Sequence, residues 1–487
     1  MPAPPLSCVA LVACLAASAA PAADAPPSPR PNVLLFYIDD LRPQTADYGR
    51  DGMVTPNFSR LAASGVRFEN AYCQVPTCGA SRASLFTGLY PTPDRFKNYL
   101  ARAAEDAPDA KTLPQRFREA GYVTVSNGKV FHHKDDTARR SWSEPPWRPT
   151  VGPAAVYNDA SRAWLAEHAG DTVTRGGRER PRTPMWEAAE VDPLQTHDGL
   201  ILTKTLDDLD RLAAGDAPFF LACGLAKPHM PFYSPAPTYD LYPREAIEPA
   251  EYRDWPRPKP NGLSRVGEQD AYVPLTLDLS REVKYNSDEY HRRMRQGYYA
   301  SVSHADDLLG RALDKLEETG LAENTVVVVL GDHGWLLGEH DQWAKNTLLH
   351  DALRTALWVR GPGVAAGAAA PAFVEFVDLH PTLCELAGVP VPAGEVDGKS
   401  FAAVLKDPAA PHRDHAYVRF GRGDAVVSAD RHFARWLSPA GAESALLIDR
   451  RADPLGTTNH AGDPAYAADE ADLRAKLAAK LAAAADD

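Results

Sequence analysis

Asn32 to Ile38 reads NVLLFYI, and Asp39-Asp40 follow it at once. A run with no polar alternation is what a strand needs when both of its faces are covered, as in a mainly parallel sheet. Outward from it, Thr55-Pro56 opens a helix that Gly65 closes, with Thr55 expected as N-cap and Pro56 in the first turn. Short apolar runs recur at Tyr122 to Ser126, Phe219 to Cys223, Val326 to Leu330 and Ala356 to Val359. Between Asp288 and Gly320, Met294, Tyr298, Val302, Ala305, Leu309, Ala312 and Leu316 fall at three- and four-residue steps, which predicts one long amphipathic helix. Strands alternating with helices predict an α/β fold: a large, mostly parallel mixed sheet sandwiched by helices.

From about Pro411 the texture changes to short β-like pieces (Ala416 to Phe420, His432 to Leu437, Ala445 to Ile448). A last helix follows, with Leu473, Leu477 and Leu481 four apart. The expected division is a leader at 1–23, a catalytic domain at 24–410 and a smaller C-terminal α+β subdomain at 411–487. Residues 139–193, rich in Pro, Arg and Trp, and 233–287, rich in Pro and Tyr, read as long surface excursions that shape a binding site.

Leu6 to Ala20 is apolar and short, and Ala20 and Ala22 frame a cleavage site, so the protein is expected to be exported, periplasmic or secreted. Leu11 to Cys14 also resembles a lipoprotein cleavage box, which would give a lipid anchor through Cys14. No later run is long enough to span a bilayer, so no transmembrane segment is expected. Residues 1–23 carry no charged side chain, so the formal charge of −13 belongs to the remainder, which argues against nucleic acid as a partner. Of six cysteines, setting Cys8 and Cys14 aside leaves Cys73, Cys78, Cys223 and Cys384. An exported protein can pair these, and a Cys73–Cys78 bridge is one reading of Cys78.

Asp39-Asp40 and Asp332-His333 each follow a strand, at the carboxyl ends where ligands gather in open parallel sheets. An Asp pair after a strand is more often a turn or a cap, but three carboxylates brought together are unfavourable unless a cation sits between them, and oxygen-rich ligation favours Ca²⁺, or after it Mg²⁺, over zinc. Of Lys129, His229, His333 and Lys345, most stand just after the end of a predicted strand, on the same rim. Alone, each is an ordinary surface or loop residue; their convergence is the signal. Cys78-Gly79-Ala80-Ser81-Arg82, followed by Thr87-Gly88, reads as the start of a helix, where free N–H groups favour an anion.

That segment resembles the sulfatase signature C-x-(P/A)-S-R with its downstream T-G. NVLLFYIDDLRPQTADYG, GYVTVSNGKVFHH, PFFLACGLAKPHMPF and GDHGWLLGEHDQWAKN resemble the iduronate-2-sulfatase branch of the formylglycine-dependent sulfatases, within the alkaline phosphatase superfamily. The resemblance runs from Asn32 to about Gly398 and is poor in the two excursions; Asp449, Asp453-Pro454 and Asn459 resemble the family's tail.

The resemblance implies that Cys78 is oxidised to formylglycine by a maturation enzyme, and that Asp39, Asp40, Asp332 and His333 hold the metal with the modified Cys78. Arg82 would steady the aldehyde hydrate. Lys129 and Lys345 would hold sulfate oxygens, and His229 and Lys345 would protonate the departing alcohol oxygen. His132 would take the proton whose loss frees sulfate. The chemistry needs the modification, because a thiolate attacking sulfate leaves a stable ester, whereas a hydrate has a second hydroxyl that expels it.

The expected substrate is a sulfated oligo- or polysaccharide, a uronic acid 2-sulfate or a related unit. Two other readings compete: a phosphonate or phosphodiester hydrolase of the same superfamily, and an unmatured protein that only binds sulfated glycan. Two positions depart from the usual pattern: Ala80 for Pro, and Asn346 where the branch has an aromatic residue. His340 and Trp335 are candidates to line the pocket, and Asp306 and Asp307 are read as structural.

Overall fold

The computed structural model describes Met1, residues 30–175 and residues 178–483. The leader at 1–23, with Cys8 and Cys14, therefore lies outside the described residues apart from Met1. The main sheet is built from β1 (Asn32–Ile38), β2 (Val66–Tyr72), β3 (Val123–Gly128), β4 (Phe219–Leu225), β5 (Thr325–Gly331), β6 (Arg354–Thr355), β7 (Leu357–Arg360) and β8 (Ala368–Glu375). The strands lie in the order β6-β2-β7-β5-β1-β4-β3, with β8 pairing β2 on its other side. β5, β1, β4 and β3 are mutually parallel, β8 is parallel to β2, and β6 and β7 run against their neighbours.

β1 is central, and its side chains divide between two cores. Leu34, Phe36 and Ile38 join one apolar cluster, and Val33, Leu35 and Tyr37 join the other. This is the two-sided burial that its unbroken apolar run requires. The first face is covered by α1 (Pro56–Ser64) and α4 (Asp288–Glu318), and α3 (His197–Ala213) contributes Ile201, Leu202 and Leu209. α2 (Cys78–Thr87) and α5 (Phe376–Leu386) cover the second. α4 carries the predicted stripe of Met294, Tyr298, Val302, Ala305, Leu309, Ala312 and Leu316, all buried.

The start of α1 differs from expectation. Thr55 does not cap the helix; its hydroxyl accepts from Ala46 N at 2.9 Å. The free N–H groups of Asn57 and Phe58 instead reach the Asp306 carboxylate, at 3.0 and 2.8 Å. A distant carboxylate thus does the work expected of the local hydroxyl, which accounts for a buried Asp within α4.

The C-terminal segment forms a four-stranded antiparallel meander: β9 (His415–Phe420), β10 (Gly423–Ser428), β11 (Arg431–Leu437) and β12 (Glu443–Asp449). β10 has no counterpart among the expected strands: its Gly423-Asp424 start masks a short Ala425-Val426-Val427 run. One face of this sheet packs on Tyr72, Leu348, Leu349 and Phe373 of the larger unit. The other packs on Leu473 and Leu477 of α6 (Ala467–Ala483). Trp186–Ala189 and Phe232–Pro235, at the edges of the excursions, pair with each other in parallel.

Candidate active site

The register Ile38↔Gly331 sets the ends of β1 and β5 side by side, so Asp39-Asp40 and Asp332-His333 emerge together. Asp332 N donates to Ile38 O at 3.2 Å, and Asp40 N donates to Asp332 Oδ1 at 2.9 Å. Asp40 is held at φ +65°, and its carbonyl accepts from Tyr298 OH of α4 at 2.7 Å. Burial of all three carboxylates makes their charge the organising fact of the site.

α2 begins at Cys78, and Arg82 lies four residues, about one turn, further on. Arg82 is wholly buried, and its guanidinium reaches Asp39 Oδ1 at 3.2 Å and Asp332 Oδ2 at 3.0 Å. It also donates to the carbonyls of Lys129 and Val130 and lies over the Tyr37 ring, 4.3 Å from its centroid. Ser81 Oγ donates to Asp332 O at 2.5 Å, which ties the first turn of α2 to the end of β5.

β3 delivers Lys129 through a tight turn. Gly128 sits at φ +77°, and a Cβ there would meet Gly224 O at 2.2 Å, so only glycine fits. Lys129 Nζ then pairs with Asp39 Oδ2. Lys345, beyond the short pairing of Leu336–Leu337 with Trp343–Ala344, reaches Asp40 Oδ1 at 2.9 Å and Glu268 at 3.1 Å. His229 follows β4 in a loop whose Ala226 and Lys227 N–H groups are held by the Asp198 carboxylate of α3.

Cys78, Lys345, His132, His229 and Glu268 line one cavity of about 330 Å³, with Tyr99 and Asn346 at its walls. Lys129 and Arg82 stand behind this lining, against the carboxylates. The structure thus brings together Cys78, Arg82, Lys129, His132, His229 and Lys345 with the Asp39-Asp40 and Asp332-His333 pairs. Trp335 is buried beneath the Lys345 ammonium, 4.9 Å from its ring centre, and does not line the cavity. His340 lines a different and larger cavity of about 610 Å³, with Arg42, His350 and Arg450.

Cys73, Cys78, Cys223 and Cys384 are all free, so the Cys73–Cys78 bridge does not form; the Cys73 thiol faces Leu353 O instead. Burial, with Asp39 adding to it, pushes the Cys78 thiol well above its usual range, so a thiolate is disfavoured there at neutral pH. His333 Nε2 stands 3.4 Å from Cys78 Sγ. Burial lowers the His333 pKa to about 4, which leaves the ring neutral with a lone pair to offer.

For Asp39, burial pushes upward, but Lys129, His229 and Arg82 outweigh it and hold the carboxyl well below its usual range. For Asp332 burial wins, Asp39 adds to it, and the pKa rises to about 6. Burial, then Lys129, lower the His132 pKa to about 2, so this ring is neutral; its Nδ1 is buried without a partner.

One donor atom each from Asp39, Asp40, Cys78 and His333 lies within 4.8 Å of the others, and all four residues are buried. Two carboxylates and an imidazole converging on one point suit a divalent cation, and an oxygen at position 78 would make the set harder. Asp332 lies outside this four-atom group: its Oδ2 accepts from Arg82 and its Oδ1 from Asp40 N. Glu268 is the site residue that the sequence did not reveal. It stands in an irregular stretch of the 233–287 excursion, with no motif or strand end to flag it.

A family model described as Sulfatase matches residues 31–389, and one described as N-sulphoglucosamine sulphohydrolase, C-terminal, matches residues 338–483. Iduronate 2-sulfatase of Homo sapiens is 34% identical over 408 residues, covering 74% of this chain and 70% of that protein. Among solved structures, BT4656 in complex with its substrate D-glucosamine-2-N,6-O-disulfate aligns with a TM-score of 0.72 at 21% identity, over 93% of this chain and 97% of that one. The phosphonate monoester hydrolase of Agrobacterium radiobacter aligns with a TM-score of 0.69 at 23% identity, over 92% and 95%. At these identities the two structures speak to the fold.

Proposed function

The chain belongs to the sulfatase family of sulfuric ester hydrolases, and from that premise we propose that it removes sulfate from a sulfated carbohydrate, a uronic acid 2-sulfate or a related polysaccharide unit. The observation that carries this reading is the placing of Cys78: at the first turn of α2, in a cavity whose walls hold Lys345, His132 and His229. Conversion of Cys78 to formylglycine by a maturation enzyme supplies an aldehyde hydrate, whose two hydroxyls allow attack on sulfur and later release of sulfate.

Asp39, Asp40 and His333 would hold Ca²⁺ with position 78, and Asp332, whose Oδ1 lies 2.9 Å from Asp40 N and 3.4 Å from His333 Nε2, would complete or brace that set. When bound, the cation offsets the charge of the carboxylates and of the sulfate. Arg82 fixes Asp39 and Asp332 from behind. Lys129 and Lys345 present ammonium groups to sulfate oxygens, where charge shifts during transfer. His229 and Lys345 supply the proton that the sugar oxygen needs as it departs, and neutral His132 accepts one. The catalytic domain is assigned to 24–410 and the C-terminal subdomain to 411–487, in a protein exported to the periplasm or medium.

The test is anion release from a panel of sulfated oligosaccharides with an aryl phosphonate alongside, the protein being co-produced with a maturation enzyme. Sulfate release from one sugar, absent in Cys78→Ala with its thermal midpoint unchanged, is expected. Phosphonate release alone would move the assignment to phosphorus esters, and no release of either would leave a sulfated-glycan-binding protein.

A further inference from the structure

Ser264 to Glu268 form one wall of the cavity, and Glu268 opens a one-turn 3-10 helix, Glu268–Ala271, after Gly267. Its side chain is only 8% exposed, although it belongs to a surface excursion. Glu268 Oε1 lies 3.2 Å from His229 Nε2 and 3.1 Å from Lys345 Nζ. Those two groups come from distant parts of the chain: His229 from the loop after β4, and Lys345 from the hairpin after β5. One carboxylate oxygen is where they meet.

A carboxylate in a cavity meant for sulfate is costly unless it does something, because it repels the incoming anion. Its partners show what it does. His229 Nδ1 faces Met230 O at 2.6 Å, and Nε2 faces Glu268. Carbonyl and ionised carboxylate oxygens only accept, so a hydrogen on either ring nitrogen is directed, and the ring cannot flip without losing both contacts. Lys345 is likewise held between Asp40 and Glu268.

We infer that Glu268 is a positioning residue for the departing oxygen, keeping His229 Nε2 and the Lys345 ammonium convergent on the point where the sugar–oxygen bond to sulfur breaks. This rests on the hydrolase reading above and adds to it a residue from the excursion, where the resemblance to the family is poor. As that bond breaks, its electron pair goes to the sugar oxygen, which replaces Glu268 Oε1 as acceptor of the one His229 Nε2 hydrogen and takes that proton. A sugar alkoxide is a strong base and needs that proton; a nitrophenolate is a stable anion and does not. The role of Glu268 is therefore visible in the leaving group.

The experiment compares wild type with Glu268→Gln on two esters, a sulfated sugar that wild type hydrolyses and 4-nitrophenyl sulfate. On the sugar, kcat is expected to fall about 10²-fold, the size of a lost acid–base contribution, with KM no higher, since a charge that repels the sulfate is removed. On the aryl ester the fall is expected to stay within about threefold, since protonation contributes little there. Glu268→Asp should recover part of the loss. Equal falls on both esters, or none on either, would overturn the inference.

A second measurement does not need turnover. In ¹⁵N-histidine spectra the His229 ring signals are expected to shift in Glu268→Gln, and unchanged signals would also overturn it. If wild type released sulfate from neither ester, the hydrolase reading would fail, while the spectra would still decide whether Glu268 orients His229.

Discussion

Two buried ionic clusters of similar make-up serve different ends in this protein. In the first, Asp39, Asp40 and Asp332 meet Arg82, Lys129 and Lys345. In the second, Glu375 and Asp378 meet Arg413 and His412, with Arg413 Nη2 2.5 Å from Asp378 Oδ1 and His412 Nε2 3.1 Å from Oδ2. The second is closed by backbone groups. Asp378 accepts from the N–H groups of Glu375 and Lys399, Glu375 accepts from Tyr417 N, and Tyr90 OH donates to Glu375. It fastens the start of α5 to β9, with both of its carboxylates buried. The first has few backbone donors, faces the cavity through Lys345 and Cys78, and is held by side chains from several elements. Buried charge alone therefore does not mark a catalytic centre. What marks it is charge left short of backbone partners beside a space of substrate size.

The sharpest way to break this contrast is to make one change in both clusters. Arg82→Met leaves Asp39 and Asp332 facing each other without their shared cation. Turnover is expected to fall about 10³-fold or more, the upper range for a lost electrostatic group. Arg413→Met leaves Asp378 and Glu375 with a missing partner and should cost about 3 kcal/mol of stability. Its kcat per folded molecule is expected to match wild type. Thermal melts beside initial rates check both, and a rate loss in Arg413→Met without a loss of stability would erase the distinction.

The sequence marked only the first cluster, with Asp332 just past a strand end and Arg82 inside the Cys78–Arg82 motif, whereas Asp378 and Arg413 stand in no motif and the second cluster is seen only in the fold. What the sequence carried well was anything fixed by strand ends. The apolar runs gave β1, β3, β4 and β5, and the residues just past them supplied Asp39, Asp40, Lys129, His229, Asp332 and His333. Periodicity gave α4 nearly to its ends. What it did not carry depended on partners far along the chain. Asp306 took over the cap of α1 from Thr55, and Glu268 reached the site from an excursion with no regular pattern. His340 was drawn into another cavity although it lies five residues from Lys345.

Acid sharpens the contrast at smaller amplitude. At Asp378 burial pushes the pKa up, but Arg413 and His412 outweigh it and hold it below the usual value. Its contribution to stability is therefore full above the unfolded carboxyl pKa of about 4 and is lost as pH falls from there through the lower folded value. The gap in thermal midpoint between wild type and Arg413→Met is expected to narrow below pH about 4, and to be flat between about 5 and 7. Asp332 runs the other way in the metal-free protein. Its pKa of about 6 means that the folded chain takes up the proton first, so this residue favours the fold increasingly as pH falls from there toward about 4. A gap that stayed constant down to about pH 3 would show that Asp378 gains nothing from its cations.

The smallest expected effect concerns strain, which the two clusters also distribute unequally. Asp40, Ala344 and Asn346 sit at φ +65°, +77° and +65°, whereas the described non-glycine residues of 375–420 include none with positive φ. Asn tolerates the left-handed region, because its short side chain bonds locally; for Ala the Cβ clash there costs about 1 kcal/mol. Ala344 precedes Lys345 and pairs with Leu336, so its conformation aims the lysine at Asp40 and Glu268. Ala344→Gly removes the Cβ clash but adds backbone freedom to the unfolded chain, and these effects oppose each other at roughly 0.5–1 kcal/mol each. The thermal midpoint should therefore move by no more than about 1 kcal/mol in equivalent stability, upward if the relieved strain outweighs the added freedom. Turnover should fall about two- to fivefold, because Lys345 is less narrowly held once its neighbour can rotate. A variant both more stable and fully active would mean that the turn is only a connection. A more stable but slower one would mean that the strain fixes where the ammonium points.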